Sequence, residues 1–333
     1  MKCVKVPLKQ LNDTRIKLME KGLMNMEYKI KACDEYGYIP ITEDVDGYSI
    51  VDIELEPMKK VPHNFSELLE NELTTEEIEN LRTSFDTIGD IVILEIPGNL
   101  ENKKQIIGDA ALKFTKRKAI YMKKSAIKGT TRVRDLEFLS GVDDSVTIHK
   151  EHGARLKLDV REVYFSPRLA TERKRVMESV KNGEKILDMF CGIGPFPIVI
   201  AKNKNVDIDA VDINESAIKY LDENIRLNKL KGNVKTYCGD IREVSHTFNC
   251  KFDRIIMNLP GLAYTFLDVA FDLIDDGGII NYYEFSDSYE QGIKRLNEAC
   301  EKYDKEVEII NTRKVKSTSP GEWHVAIDAK INY

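Results

Sequence analysis

The stretch that most constrains this chain is Ile186-Leu187-Asp188-Met189-Phe190-Cys191-Gly192-Ile193-Gly194-Pro195-Phe196. Four apolar residues around Asp188, from Ile186 to Phe190, run into two glycines and then into the start of a helical pattern. A short apolar run bounded by glycine suits a parallel strand covered on both faces. Gly192 and Gly194 carry no Cβ, so the backbone turns sharply there and comes close to a ligand. The amides that open the following helix then face an adenosyl or phosphate group. The dinucleotide fingerprint is incomplete, because Pro195-Phe196-Pro197 stand where a third glycine is expected.

The segments downstream repeat the same grammar. Asp207 to Asn214 reads as a second strand ending in an acid, Asp212, about 20 residues after the glycine turn, where a carboxylate accepts both hydroxyls of a ribose. Ala217, Ile218, Leu221, Ile225 and Leu227 follow near helical spacing. Val234 to Asp240 is a third strand ending in an acid, and Phe252 to Gly261 a fourth, closing on Asn258-Leu259-Pro260. Strands alternating with helices, with polar ligand-type residues at each strand's C-terminal end, predict a doubly wound α/β sheet.

In that order, DxFxGxGP, VDIN, GD and NLP resemble a class I S-adenosylmethionine-dependent methyltransferase. The upstream run Val163-Tyr164-Phe165-Ser166-Pro167-Arg168-Leu169-Ala170-Thr171-Glu172-Arg173 narrows the match. It is similar to the archaeal and eukaryotic tRNA (guanine-37-N1)-methyltransferases, and to the three-domain archaeal form most closely. The resemblance covers nearly the whole chain and is strongest from about Arg132 to Pro260. It implies a Rossmann-like methyltransferase domain at 161–333, a basic RNA-binding α+β domain with a hairpin at 61–160, and a small domain at 1–60 that touches the outer corner of the tRNA.

The chain has 333 residues, 32% of them charged and 42% hydrophobic, which suits a globular protein with a sizeable core. No run of 18 apolar residues occurs, so no membrane span is expected, and Met1 to Pro7 lacks the apolar stretch of a signal peptide. Six scattered cysteines without a CxxC pair argue against a zinc knuckle or disulfide framework and for a reducing cytoplasm. Five isolated histidines show no metal spacing, so no metal ligands are assigned, and the sequence does not call for Mg2+ although it leaves it open. Nothing signals a stable oligomer, and a monomer is expected.

The net charge is −6, but its distribution matters more than its sum. From Ala110 to Arg134 there is no acid, while Lys113, Lys116, Arg117, Lys118, Lys123, Lys124, Lys128, Arg132 and Arg134 are all basic. A local patch of this kind neutralises phosphates. A solvated charged face is the plain alternative, and the neighbouring methyltransferase pattern favours the anticodon stem-loop of a tRNA.

Elsewhere, Leu8 to Leu23 contains a helix ending near Gly22. Tyr28–Ala32 and Tyr38–Ile41 read as strands. Thr74 or Thr75 caps an acidic helix, Asp86–Ile96 is a strand, and Lys103–Phe114 is helical. Val146–His149 and Arg155–Val160 are strands around a His152-Gly153 turn. Ser286 is placed as the N-cap of a helix reaching Tyr303. Val307–Asn311 and Trp323–Ile331 form a closing pair around the loop Ser317–Gly321.

Methylating guanine N1 requires an aligned methyl donor, removal of the N1 proton and stabilisation of charge on O6. A carboxylate is the simplest base. The resemblance assigns this to Glu172 and the O6 role to Arg132, which matches the family position by its spacing to Glu172. Arg134, two residues away, is the natural confounder. Asn258 is an amide suited to the guanine edge, and Pro260 fixes its turn. Gly261 follows the proline where amino-group methyltransferases carry an aromatic, which favours a ring nitrogen over an exocyclic amine. The donor is expected at Arg168, Asp188, Phe190, Gly192, Gly194, Asp212, Ile213, Asp240 and Asn258. The RNA is expected at Tyr164, Pro260, Lys116, Arg117, Lys118, Lys123, Lys124 and Arg134. The rival readings are a wyosine-pathway enzyme acting on the same nucleotide (aminocarboxypropyl transfer or a second methylation), a non-catalytic RNA-binding relic, and a small-molecule methyltransferase.

Overall fold

The computed structural model describes residues 1–58, 62–125 and 134–333. Lys128 and Arg132 lie outside the described residues. The chain divides into two compact units, Met1–His63 and Asn64–Tyr333.

The first unit is a four-stranded antiparallel sheet in the order Lys31–Cys33, Tyr36–Pro40, Lys2–Pro7, Ser49–Asp52. The helix Leu11–Glu20 buries Leu18 against Val4, Val6, Ile39 and Ile41. Gly22 follows that helix at φ +69°, as a left-handed helix end requires. Sequence reading missed the central strand Lys2–Pro7, whose Lys-x-x-Lys spacing obscures the buried Cys3, Val4 and Val6. Tyr28 is not in the strand expected of it; it forms an isolated bridge with Pro57.

The second unit opens with Thr74, which caps the helix Thr75–Asn80 in a reciprocal arrangement with Glu77. The expected single strand Asp86–Ile96 is two antiparallel strands, Phe85–Ile88 and Ile91–Leu94. The chain reverses at Gly89-Asp90, where Gly89 has φ +57° and a Cβ would meet Thr147 Oγ1 at 2.1 Å. These strands join Ala119–Lys123 and Leu136–Gly141 in one sheet, crossed by the helix Lys104–Thr115. The hairpin Val146–Glu151 and Ala154–Asp159 turns at His152 and Gly153, both at positive φ. Its free edge is satisfied by side chains from downstream: Lys157 N donates to Asn224 Oδ1 at 2.6 Å and Arg155 N to Asn228 Oδ1 at 3.0 Å. One core joins Ile91, Tyr121, Leu156 and Leu221 across the two parts of this unit.

The large sheet has seven strands: β1 (Lys185–Asp188), β2 (Asp207–Asp212), β3 (Asn233–Cys238), β4 (Phe252–Met257), β5 (Ile274–Ser286), β6 (Glu306–Ser319) and β7 (Glu322–Asn332). Their order is β3-β2-β1-β4-β5-β7-β6, parallel from β3 to β5, with β7 antiparallel to both neighbours. Helices α1 (Ala170–Ser179), α2 (Pro195–Asn203), α3 (Glu215–Leu227), α4 (Leu267–Leu273) and α5 (Glu290–Lys302) flank it. This is the doubly wound α/β plan, closed by an antiparallel hairpin.

Two expectations need correction here. Ser286 ends β5 rather than capping a helix; α5 starts at Glu290, with Tyr289 at the cap position. The loop expected at 317–321 is a tighter turn, because β6 extends to Ser319 and β7 begins at Glu322. Both follow from long pairing with β7, which the local sequence does not announce.

Candidate active site

The glycine turn is built by two contacts that reach across the sheet. Asp212, at the end of β2, accepts from Gly192 N at 2.7 Å through Oδ2 and from Asn214 N at 2.8 Å through Oδ1. Asn214 in turn caps α3 by accepting from Ser216 N at 3.0 Å. The two glycines do different work. Gly192 has φ +53° and its missing Cβ leaves open space, with only Tyr164 O at 3.9 Å, so its backbone is free to meet a ligand. Gly194 has φ +81° and a Cβ there would fall 2.1 Å from Leu221 Cδ1, so it serves the packing of α2 on α3.

A cavity of about 700 Å3 opens over the C-terminal ends of the parallel strands. Phe190, Gly192, Asp212 and Ile213 line it on the β1–β2 side, and Asp240 at the end of β3. Ile213 is 47% exposed, an apolar surface left unburied at the mouth. Phe190 meets Phe266 edge-on at 5.0 Å, and the Arg242 guanidinium lies over Phe266 at 4.1 Å. Asp240 caps the short helix Ile241–Val244 by accepting from Arg242 N at 2.9 Å. Tyr164, Asn258 and Pro260 complete the expected set around the cavity. Asn258 Oδ1 is buried and has no hydrogen-bond partner among the described residues. An amide oxygen left in that state leaves a donor's worth of free energy unclaimed, about 1–3 kcal/mol.

Asp188 lies behind this wall. It is 1% exposed, and its Oδ1 accepts from Phe190 N at 3.3 Å while Oδ2 has no partner. Burial, opposed by that hydrogen bond and reinforced by the charge of Asp212, pushes its carboxyl up to about 8. Asp188 thus shapes the turn from beneath instead of reaching the cavity.

Glu172 stands apart from the cavity wall. It is 1% exposed on α1, and Oε1 accepts from Tyr283 Oη at 2.8 Å and from Arg175 Nη2 at 2.7 Å. Arg313 Nε lies 3.4 Å from Oε2 without hydrogen-bond geometry. Arg175 also reaches Asp328, which accepts from Asn281 at 2.6 Å, and Asn281 accepts from Arg254. A buried polar network therefore runs from α1 under β4, β5 and β7. Burial and then the neighbouring Glu172 drive the Tyr283 phenol well above its ordinary value, so it stays a donor.

Arg168 is also outside the cavity. It is half-exposed and pairs with Asp86 at 2.5 Å. Lys123 shares Asp86 at 3.5 Å and Glu95 at 3.6 Å. Burial pulls the Lys123 ammonium below its usual value despite Asp86, and Arg134 and Arg168 add to this. The buried Nε of Arg134 has no hydrogen-bond partner among the described residues. The basic stretch is acid-free only in sequence. Lys118 pairs with Asp144 at 3.1 Å, and Lys124 with Glu101 at 2.5 Å and Glu137 at 3.3 Å. Lys116 and Arg117 are exposed; Lys116 ends its helix at φ 53°, and Arg117 donates to Gly89 O at 3.4 Å.

Three cavity residues escaped the sequence reading. Arg173 is held bidentate by Glu151 at 2.5 and 2.6 Å and donates to Ser166 O. Lys316 on β6 donates to Ser166 Oγ at 3.4 Å, and His324 on β7 packs against Tyr283 and Phe285. Lys316 and His324 are register partners on strands that meet the cavity only through the sheet order. Among the described residues, no group of three or more His, Cys, Asp and Glu is placed to hold a metal ion, and no helix is long and apolar enough to cross a membrane.

Comparison with known proteins agrees with this architecture. Residues 147–310 match the TRM5/TYW2 methyltransferase domain, residues 65–145 the TYW2 N-terminal domain, and residues 3–49 the tRNA methyltransferase 5 N-terminal domain. The chain is 43% identical to the tRNA (guanine(37)-N(1))-methyltransferase Trm5b of Pyrococcus abyssi, over 99% of both chains. A solved structure of aTrm5 in complex with tRNALeu superposes with a TM-score of 0.86 at 39% identity, covering 99% of each chain. The tRNA(Phe) (4-demethylwyosine(37)-C(7)) aminocarboxypropyltransferase of Methanocaldococcus jannaschii is 37% identical over 74% of this chain and 97% of its own. By its fold, by the site at the ends of its parallel strands and by these matches, the chain belongs to the TRM5/TYW2 methyltransferase family.

Proposed function

We propose that this protein methylates N1 of guanine-37 of tRNA with S-adenosylmethionine as donor. The observation that carries this reading is Asn258. A buried amide with an unmet acceptor stands at the end of β4, inside the cavity, where a purine edge supplies N–H donors. The full-length likeness to the guanine-37 N1-methyltransferase also supports it, since the aminocarboxypropyl relative matches only 74% of the chain.

The residues present suit an adenosyl donor. Asp212, at the end of β2, puts a carboxylate on the cavity wall where ribose hydroxyls can donate to it. Ile213 and Phe190 offer apolar faces for the adenine, and Asp240 stands beside them. When bound, S-adenosylmethionine supplies an electrophilic methyl group. Asn258 then positions guanine, with Pro260 fixing its turn and Tyr164 also lining the cavity. Glu172 is the base we assign to the N1 proton. As placed, it shares its oxygens with Arg175 and Tyr283, so proton transfer requires one partner to let go. Among the described residues, Oε2 accepts only from Arg175 Nε, at 3.1 Å, so a shift of Arg175 frees that oxygen for the proton. On the strength of the resemblance, we assign O6 to Arg132. Of the basic stretch, Lys116 and Arg117 suit phosphates best, because Lys118, Lys123 and Lys124 already face carboxylates. We place the enzyme in the cytoplasm as a monomer.

The test is methylation of unmodified transcripts bearing guanine or adenine at position 37, followed by nucleoside mass spectrometry. 1-Methylguanosine formed only on the guanine-37 transcript is the expected result. No methyl product, with a donor-derived mass gain on a wyosine-precursor tRNA instead, would sink it in favour of aminocarboxypropyl transfer.

A further inference from the structure

Three cationic side chains other than histidine line the cavity, and two of them are neutralised. Arg173 is locked to Glu151 at 2.5 Å, and Arg242 faces Asp240 at 3.5 Å. Lys316 has no carboxylate oxygen within 4.0 Å among the described residues; its Nζ reaches only the Ser166 hydroxyl, at 3.4 Å. A half-buried ammonium against an apolar wall carries a standing desolvation cost, which an anion entering the cavity would offset.

Its place in the sheet says which anion. The acids of the cavity, Asp212 and Asp240, sit at the ends of β2 and β3. Lys316 sits on β6, the opposite edge strand, three positions beyond the β4 strand that ends at Asn258. At about 4.8 Å per strand, that is roughly 14 Å of sheet past the methyl-transfer position. In the guanine-37 reading above, the donor is held by its ribose at β2 and keeps its carboxylate on the near side of Asn258, and the target nucleotide extends beyond Asn258 towards β5, β7 and β6, carrying a backbone phosphate.

We propose that Lys316, with Ser166 beside it, binds a phosphate of the everted target nucleotide and so holds the base in register with Asn258. This rests on the proposed guanine-37 reading. Lys316 is a positioning residue, because it acts on the base through the backbone to which the base is attached. In an ordered state the ammonium donates to a phosphate oxygen and releases one condensed counterion.

The experiment uses the full chain with Lys316→Ala and Lys316→Arg, measuring donor affinity by calorimetry, tRNA affinity across a salt series, and steady-state methylation. The expected result for Lys316→Ala is a donor Kd within about twofold of wild type and a tRNA Kd about tenfold weaker. The slope of log K against log salt should be shallower by about 0.7, the value of one single-strand phosphate contact. Lys316→Arg should restore the slope. A weakened donor Kd with an unchanged salt slope would overturn the proposal and assign Lys316 to the donor carboxylate. No change in either affinity would overturn it in favour of a structural role. The wild-type assay separates the two readings: failure to methylate guanine-37 rejects the proposed function, whereas methylation by wild type with no slope change in Lys316→Ala rejects only this inference.

Discussion

The two sides of the large sheet are built in opposite ways. At the β1–β2–β3 end, the residues that face the cavity are those at the strand ends, and each is positioned by neighbours from the same βαβ repeat. Asp212 holds Gly192 and Asn214, and Asn214 caps the next helix. At the β5–β7–β6 end, a residue's partners are remote. Glu172 meets Tyr283 across 111 residues, Arg175 meets Asp328 across 153, and Lys316 meets Ser166 across 150. The first end is a local device repeated by crossover topology, which tolerates change wherever the turn survives. The second is a buried network whose members support one another, so removing one leaves others unpaired.

That contrast can be broken first at Glu172. Glu172→Gln keeps the shape and the contact with Tyr283 but removes the charge. The expected outcome is a fall in kcat of about 100-fold or more with donor affinity unchanged, measured by single-turnover methylation and calorimetry. A loss below threefold would make Glu172 a member of the network and nothing more. The next test is at the local end. Asp212→Ala removes an acceptor for two backbone amides and for the donor ribose, and should weaken donor binding about 30- to 100-fold by calorimetry. An affinity within threefold of wild type would mean the donor is not centred on β2.

The smallest effect sharpens the comparison through pH. Folding raises the Asp188 carboxyl to about 8, chiefly by burial, so the folded chain keeps a proton that the unfolded chain releases in the ordinary carboxylate range. Between that range and about 8 the folded state binds more protons, and stability therefore falls as pH rises, by at most about 1.4 kcal/mol per unit. Asp188→Asn removes this dependence. Urea unfolding from pH 6 to pH 8.5 should give a flatter profile for the variant than for wild type. Parallel profiles would show that Asp188 is ionised in the folded chain throughout.

How much of this was legible beforehand follows from the same contrast. The glycine turn, Asp212, Ile213, Asp240, Asn258 and Pro260 stand where the sequence reading put them, around one cavity. The two glycines of the turn look alike in sequence, and only the approach of Leu221 shows that Gly194 also serves packing. The basic run looked uncompensated because its acids come from elsewhere: Glu101 and Glu137 for Lys124, Asp86 and Glu95 for Lys123, Asp144 for Lys118. Asp86–Ile96 read as one strand because Gly89-Asp90 is a two-residue reversal inside an apolar run.

By itself, the sequence determined the strand, glycine turn and helix at 185–203, the acids that follow at crossover intervals, and hence the doubly wound plan. Those features are written in backbone freedom, apolar periodicity and side-chain type within a few residues of one another. Only the tertiary structure decided which charges remain unpaired. Pairing depends on which distant carboxylates the sheet order and hairpin docking bring within 4 Å, and no local pattern encodes that distance. Arg173 and Lys316 are both basic residues in polar stretches; Glu151 neutralises the first, and the second is left facing the cavity.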